Sequence, residues 1–156
     1  MSQSISQIAE SISRANPNLF LFPCGGSHPK DKASLPTKKG SFHEEMQKAG
    51  VFRVTGMEGK DGFYWGQNEP ERVETMFEYF GSSARQIGVW LGQSGKIVFD
   101  VDIYKAPEEQ QQELRDFVTR WQDSAEMTVA TQSGGYHLWF PDDHPETRRK
   151  AIHPHI

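Results

Sequence analysis

A run of strand-forming residues that carries two carboxylates, at residues 96–104, constrains the fold of this chain more than any other segment. Its run, Lys-Ile-Val-Phe-Asp-Val-Asp-Ile-Tyr, has the β-branched and aromatic content of a buried strand, yet it contains Asp100 and Asp102. Because strand side chains alternate between faces, both carboxylates are predicted on one face, about 7 Å apart. Two desolvated carboxylates repel each other unless a cation or a basic partner compensates them, and a divalent metal is the natural compensator. The opposite face takes Phe99, Val101 and Ile103.

Composition and charge restrict the class of protein. The 156 residues suffice for one domain with a real core, and 35% hydrophobic residues with ten Phe indicate a packed interior. A net charge of -4 argues against a protein that coats nucleic acid by charge alone. Cys24 is the one cysteine, which excludes an intramolecular disulfide and a zinc site built on several thiolates. Without an apolar signal segment or a long apolar run, we expect a cytoplasmic protein with no membrane partner.

The order of predicted elements indicates an α+β fold. Helices are predicted at residues 4–15, 43–49, 69–80 and 107–123, and strands at residues 19–22, 86–91, 96–103, 127–131 and 136–140. Asn68 is the predicted N-cap of the third helix, with Glu71 completing a capping box. Turns at 92–95 and 132–135 predict two hairpins. The result is a small antiparallel or mixed sheet of strand–strand–helix–strand–strand order, an RRM-like core behind an N-terminal helical segment, with one sheet face covered by a helix.

The run Ser-Gly-Gly-Tyr-His at residues 133–137 is the second candidate site. Paired glycines let backbone N–H groups approach a ligand closely and often form an anion-binding nest. His137 begins the next strand, on the same face as Trp139, and a histidine there can hydrogen-bond a phosphate oxygen. Each site also has a simpler interpretation when taken alone: a solvated strand edge for the carboxylates, and a plain hairpin turn with a structural histidine.

Lysines and aromatic residues supply further candidates for ligand contacts. The loop at residues 23–40 has four lysines against one aspartate, and these lysines either contact phosphates or are simply solvated: Lys30, Lys32, Lys38 and Lys39. Aromatic residues could stack on bases, although aromatics interleaved with strand residues are usually core: Trp65, Trp90, Trp139 and Tyr136. Tyr136, beside the glycine turn, is the best stacking candidate.

Three segments together resemble the primase–polymerase (prim-pol) domain of the archaeo-eukaryotic primase superfamily. They are Ile-Gly-Val-Trp-Leu-Gly at 87–92, Gly-Lys-Ile-Val-Phe-Asp-Val-Asp at 95–102 and Thr-Gln-Ser-Gly-Gly-Tyr-His-Leu-Trp-Phe at 131–140. The resemblance covers most of residues 19–141 and is specific between 87 and 140. It implies nucleotidyl transfer in which Asp100 and Asp102 bind Mg²⁺ or Mn²⁺ and are catalytic together with His137. It further implies a nucleoside triphosphate bound by Ser133, Gly134, Gly135 and His137.

The sequence departs from the family pattern in one respect. The family carries a third carboxylate on a later strand, whereas the acidic residues after His137 lie outside any predicted strand: Asp142, Asp143 and Glu146. We therefore predict a single prim-pol-like domain over residues 1–156, with a tail at 141–156, that lacks the third acidic motif. It is either the N-terminal part of a longer catalytic domain or a naturally shortened relative.

Three functions follow from the resemblance. The leading one is a primase/polymerase domain that synthesises a primer on a DNA template, encoded in a replication module of a phage, plasmid or mobile element, with a helicase domain or partner. The alternative is an inactive relative that binds a nucleotide, nucleic acid or protein. A metal-dependent nuclease that uses the same acidic pair is the third. Whether the chain is an enzyme depends on a supply of the third acidic ligand.

Overall fold

The computed structural model describes residues 2–26, 33–36, 40–143 and 152–156, and it confirms the α+β class. The chain divides into two compact units, Met1–Ser94 and Gly95–Ile156. The helices are α1 (Ile5–Ala15), α2 (Phe42–Lys48), α3 (Pro70–Phe80), α4 (Leu91–Ser94) and α5 (Glu108–Trp121). The strands are β1 (Leu21–Cys24), β2 (Gln86–Val89), β3 (Lys96–Val101), β4 (Met127–Ala130) and β5 (Tyr136–Pro141).

The first unit combines helices with a two-stranded antiparallel sheet. Strands β1 and β2 pair with Leu21 opposite Val89, and α3 packs against both α1 and β1. Helix α1 begins with a capping box, in which Ser4 and Gln7 each accept a hydrogen bond from the backbone of the other. The buried side chains around this sheet are largely aromatic and sulfur-containing: Phe22, Cys24, Phe42, Met46, Trp65 and Met76.

The predicted hairpin between residues 86–91 and 96–103 is wrong. Strand β2 pairs with β1, and β3 pairs with β5. Between them the chain forms the helical turn α4, which Ser94 holds by donating its hydroxyl to the Trp90 carbonyl at 2.7 Å. The same hydroxyl oxygen accepts the Phe20 N–H at 2.9 Å. These bonds stabilise a helical turn where a hairpin turn was predicted. The chain therefore does not fold back to pair β2 with β3.

The predicted N-cap of the third helix is also wrong. Helix α3 has Glu69 as its N-cap, and no side chain makes the capping hydrogen bond. Asn68 instead donates its amide to the Pro17 carbonyl at 3.2 Å, and its own carbonyl accepts the Ser13 hydroxyl at 3.2 Å. Its polar groups thus tie the start of α3 to the end of α1. The predicted helix stop at Gly81 is confirmed, and its φ of 52° suits a glycine.

The second unit is a three-stranded antiparallel sheet of order β3-β5-β4 with α5 against one face. The predicted hairpin β4–β5 is confirmed. The predicted series strand, strand, helix, strand, strand differs from the structure in two respects: α4 lies between its first two strands, and its first strand, β2, pairs with β1 in the first unit. Alternation turns Val101 of β3 and Leu138 of β5 toward α5. They form a buried core with residues of the following turn and of α5 itself: Ile103, Ala106, Leu114 and Val118. The other set of strand side chains, which includes Asp100 and His137, lies on the opposite face.

Membrane insertion by a helix finds no support in the described ranges. No helix there has both the length and the apolar character that crossing a bilayer requires.

Candidate functional site

Asp100 and His137 lie directly across from each other on the sheet face away from α5. They are register partners on β3 and β5, and Nε2 of His137 lies 3.3 Å from Oδ1 of Asp100. The Asp100 side chain is 61% exposed and that of His137 is 31% exposed. An imidazole N–H at this distance can orient the carboxylate while solvent still reaches it. The Asp100 carboxylate is therefore held in position but accessible to solvent.

Asp102 lies just beyond the strand rather than within it. Strand β3 ends at Val101, and Asp102 (φ -91°, ψ 71°) precedes a single 3₁₀ turn, Ile103–Lys105. Its N–H donates to the His155 carbonyl at 3.0 Å, and its side chain is 25% exposed. The prediction that the strand continues to residue 103 is wrong, because the buried Ile103 belongs to a turn that leads into α5. Strand alternation therefore does not set the direction of the Asp102 carboxylate.

Lys105 is a basic partner of the acidic pair that the sequence reasoning missed. Its Nζ donates to Oδ2 of Asp102 at 2.7 Å. The pKa of Lys105 is raised above its ordinary value, first by this hydrogen bond, against the opposing effect of desolvation, and then by the charges of Asp102 and Asp100. The ammonium group thus partly supplies the compensation that the two carboxylates require. The sequence feature that could have identified this ion pair is a lysine three residues after an aspartate at the end of a strand.

The turn at residues 131–135 is organised by Thr131. Its N–H donates to the Gly135 carbonyl at 2.9 Å, and its carbonyl accepts the Gly134 N–H at 3.0 Å. Its Oγ1 accepts the Gly135 N–H at 2.9 Å and lies 3.4 Å from Oγ of the exposed Ser133. The N–H groups of Gly134 and Gly135 therefore already donate within the turn. Their predicted contact with phosphate oxygens stays a prediction, and it requires those bonds to be shared or exchanged.

Close packing explains why both positions in the turn are glycine. A Cβ on Gly134, whose φ is +84°, would lie 1.9 Å from Cε2 of Tyr104. A Cβ on Gly135 would lie 2.3 Å from the Val101 carbonyl oxygen. No real Cβ approaches other atoms so closely, so a side chain at Gly135 would displace the backbone, and one at Gly134 would displace the Tyr104 ring or the turn. The glycines thus bring Ser133 to the end of β3, where the acidic pair lies.

The other candidates for ligand contacts that the sequence offered are aromatic residues and the loop lysines. Tyr136 packs against the buried core under α5, which argues against it as the stacking residue, and the strongly exposed aromatic ring near the turn is that of Tyr104. Trp65 and Trp139 are buried. Residues 27–32 and 37–39 fall outside the described residues, and they include all four loop lysines: Lys30, Lys32, Lys38 and Lys39.

The described part of the chain does not arrange a third acidic side chain with Asp100 and Asp102 to hold a metal ion. No group of three or more His, Cys, Asp or Glu side chains there is arranged to hold a metal ion. The Asp142 N–H donates to the Gly95 carbonyl at 2.9 Å, so Asp142 lies beyond the Lys96–Pro141 pair. That pair is about 13 Å along the strand from Asp100. Asp143 follows it, and Glu146 lies outside the described residues.

Two carboxylates alone still suit a small hard cation. Mg²⁺ commonly retains several waters and is bound through one or two carboxylates plus substrate phosphates. Among the described residues at this end of the sheet, Asp100 and Asp102 provide two such carboxylates. Their residue types and exposure fit a cation of this kind completed by a nucleotide.

Comparison with known proteins identifies the family. The family model described as "Bifunctional DNA primase/polymerase, N-terminal" (Prim-Pol) matches residues 12–155. Because this match covers nearly the whole chain, the chain belongs to the Prim-Pol family, and the resemblance seen in the sequence is confirmed. Searches of curated proteins and of solved structures gave no significant match.

Proposed function

We propose that this chain is a nucleotidyltransferase domain that extends or begins a strand on a DNA template with nucleoside triphosphates as substrates. The observation that supports it most is the register that sets Asp100 opposite His137, at 3.3 Å, in a chain of the Prim-Pol family. The glycine turn packs against Tyr104 and Val101. Ser133, which belongs to this turn, contributes a hydroxyl to the proposed site. An acidic pair and hydroxyl and imidazole donors are thus grouped at one end of a sheet.

Each side chain has a distinct role in this proposal. Asp100 and Asp102 would hold Mg²⁺ or Mn²⁺, which, when bound, lowers the barrier to attack by the primer hydroxyl and neutralises charge on the triphosphate. His137 keeps the Asp100 carboxylate in position and can donate to a phosphate oxygen from the same face. Ser133 offers its hydroxyl to the triphosphate. In the reaction the primer hydroxyl loses its proton to water, its oxygen bonds to the α-phosphorus, and the bond from the α-phosphorus to the pyrophosphate leaving group breaks.

The decisive experiment removes the acidic pair. We expect the double variant Asp100→Ala/Asp102→Ala to lose both primer synthesis and Mn²⁺-dependent nucleotide binding, measured by a gel assay and by calorimetry. Asp123→Ala, an exposed carboxylate after the end of α5, is the matched control and should keep both. Primer synthesis by the double variant would overturn the assignment of the site.

A second candidate function is a nucleotide-binding module without turnover. Two observations favour it: the described residues form no group of three or more metal-ligating side chains, and the Lys105 ammonium group already pairs with Asp102. Two carboxylates can bind one cation yet fail to align two ions, and catalysis falls steeply when alignment is lost. Calorimetry with Mn²⁺ and a nucleoside triphosphate that gives clear binding, together with no product in a primer assay, would select this function over the first.

A further inference from the structure

Tyr104 is an exposed aromatic ring on a fixed stretch of backbone. It occupies the middle of the 3₁₀ turn Ile103–Lys105, and 65% of its surface is exposed. Its neighbours Ile103 and Ala106 are buried in the core under α5. Asp102, two residues before Tyr104, is held by its hydrogen bonds to Lys105 and to the His155 carbonyl. The ring is therefore presented to solvent by a segment that is itself anchored on both sides.

The ring is also located by the glycine turn. A Cβ on Gly134 would lie 1.9 Å from Cε2 and 2.2 Å from Cδ2 of Tyr104, so one edge of the ring lies against the Gly134 backbone. Ser133 is the next residue along that turn, and Asp102 is two residues from Tyr104 in the chain. The exposed ring thus lies against the turn that carries Ser133 and on the same short segment as Asp102.

This arrangement matches a ligand with an anionic end and a flat aromatic end. Aromatic side chains stack on nucleobases through their faces, and the stacking tolerates any base because every base has a π face. We propose that Tyr104 is the stacking surface for the base of the nucleoside triphosphate whose phosphates reach Ser133. This inference rests on the proposed function, because it places the base relative to the phosphate contacts of that site.

The test compares two probes that share phosphates and differ in the nucleoside. ATP and inorganic tripolyphosphate are titrated, each with Mn²⁺, into the full chain and into Tyr104→Ala, Tyr104→Leu and Tyr104→Phe. We expect Tyr104→Ala and Tyr104→Leu to weaken ATP binding by about fivefold to a hundredfold and to leave tripolyphosphate binding unchanged. Tyr104→Phe should retain ATP binding. Tyr104→Leu keeps apolar bulk against Gly134, so it separates loss of stacking from loss of packing.

A matched control and three other outcomes complete the test. Trp121→Ala removes an exposed aromatic about 20 Å along α5 from its start and should change neither affinity. Equal weakening of ATP and tripolyphosphate in the Tyr104 variants would show a structural role for the ring and would overturn the stacking proposal. Unchanged ATP binding in Tyr104→Ala and Tyr104→Leu would also overturn the stacking proposal, but it would leave the proposed function standing. A native chain that binds neither probe would overturn the proposed function, and the stacking proposal with it.

Discussion

Nζ of Lys105 lies 2.7 Å from Oδ2 of Asp102, the carboxylate proposed to bind a metal. The lysine follows that aspartate by three residues on a 3₁₀ turn, and this hydrogen bond is the first cause of its raised pKa. Lysine is protonated at neutral pH even without this shift. A cation that binds through the same oxygen has to displace the ammonium group. Lys105 and a divalent metal are therefore competitors for Asp102.

Replacing Lys105 should strengthen metal binding. We expect Lys105→Met to raise Mn²⁺ affinity by up to about fivefold, since exposed ion pairs of this kind are weak. Calorimetry or the Mn²⁺ signal in electron paramagnetic resonance would measure the change. Lys48→Met removes a comparable surface pair with Glu44 and is the control. Weaker Mn²⁺ binding in Lys105→Met would mean that the lysine supports the site instead of competing at it.

Gly134→Ala should destabilise the protein by about 1–3 kcal/mol, because it combines a left-handed φ with a clash against the Tyr104 ring. Gly95→Ala is the matched control, since Gly95 has a φ of +64° but nothing within 4 Å of a Cβ. The free energy of unfolding in urea should fall further for Gly134→Ala. Adding Tyr104→Ala should then recover part of the difference. Equal losses at the two glycines would contradict the close contact with Tyr104.

Local patterns in the sequence identified the carboxylates and the strand faces, but not their partners. Alternation along β3 correctly separates Asp100 from the half-buried Phe99 and the buried Val101, because side-chain direction in a strand depends only on neighbouring residues. The pairing of β2 with β1 was missed because it joins residues more than 60 positions apart. Sequence spacing alone does not specify such a long-range pairing.

The site shows the same division between local and long-range information. Asp100 and His137 were found from residue type and motif order, whereas the roles of Tyr104 and Lys105 depend on the exact end of β3. The strand was predicted two residues too long, with Tyr104 directly after its end. The prediction therefore missed the turn that exposes the Tyr104 ring and brings Lys105 to Asp102. Element ends are set by tertiary contacts, here the burial of Ile103 and the bond from Asp102 to His155.

Ser94→Ala tests the helical turn that replaces the predicted hairpin. The Ser94 hydroxyl is buried and bonds both the Trp90 carbonyl and the Phe20 N–H, so its removal leaves a backbone donor unsatisfied. We expect a loss of about 1–3 kcal/mol in the free energy of unfolding, measured by urea denaturation. The exposed Ser82→Ala should change it by less than about 0.5 kcal/mol. A neutral Ser94→Ala would argue against this pair of hydrogen bonds.

His137 should act on metal binding through Asp100. In His137→Ala the carboxylate loses the imidazole 3.3 Å away, and we expect Mn²⁺ affinity to fall by about tenfold or more, as for other groups that orient a metal ligand. His137→Gln keeps an N–H donor and should lose less. Thr128→Ala, on the same sheet but the α5 side, is the control for general effects on the sheet. Mn²⁺ titrations in the absence of nucleotide isolate this effect from any phosphate contact of His137. If His137→Ala binds Mn²⁺ as tightly as the native chain but binds the triphosphate less well, the histidine contacts phosphate and does not position Asp100.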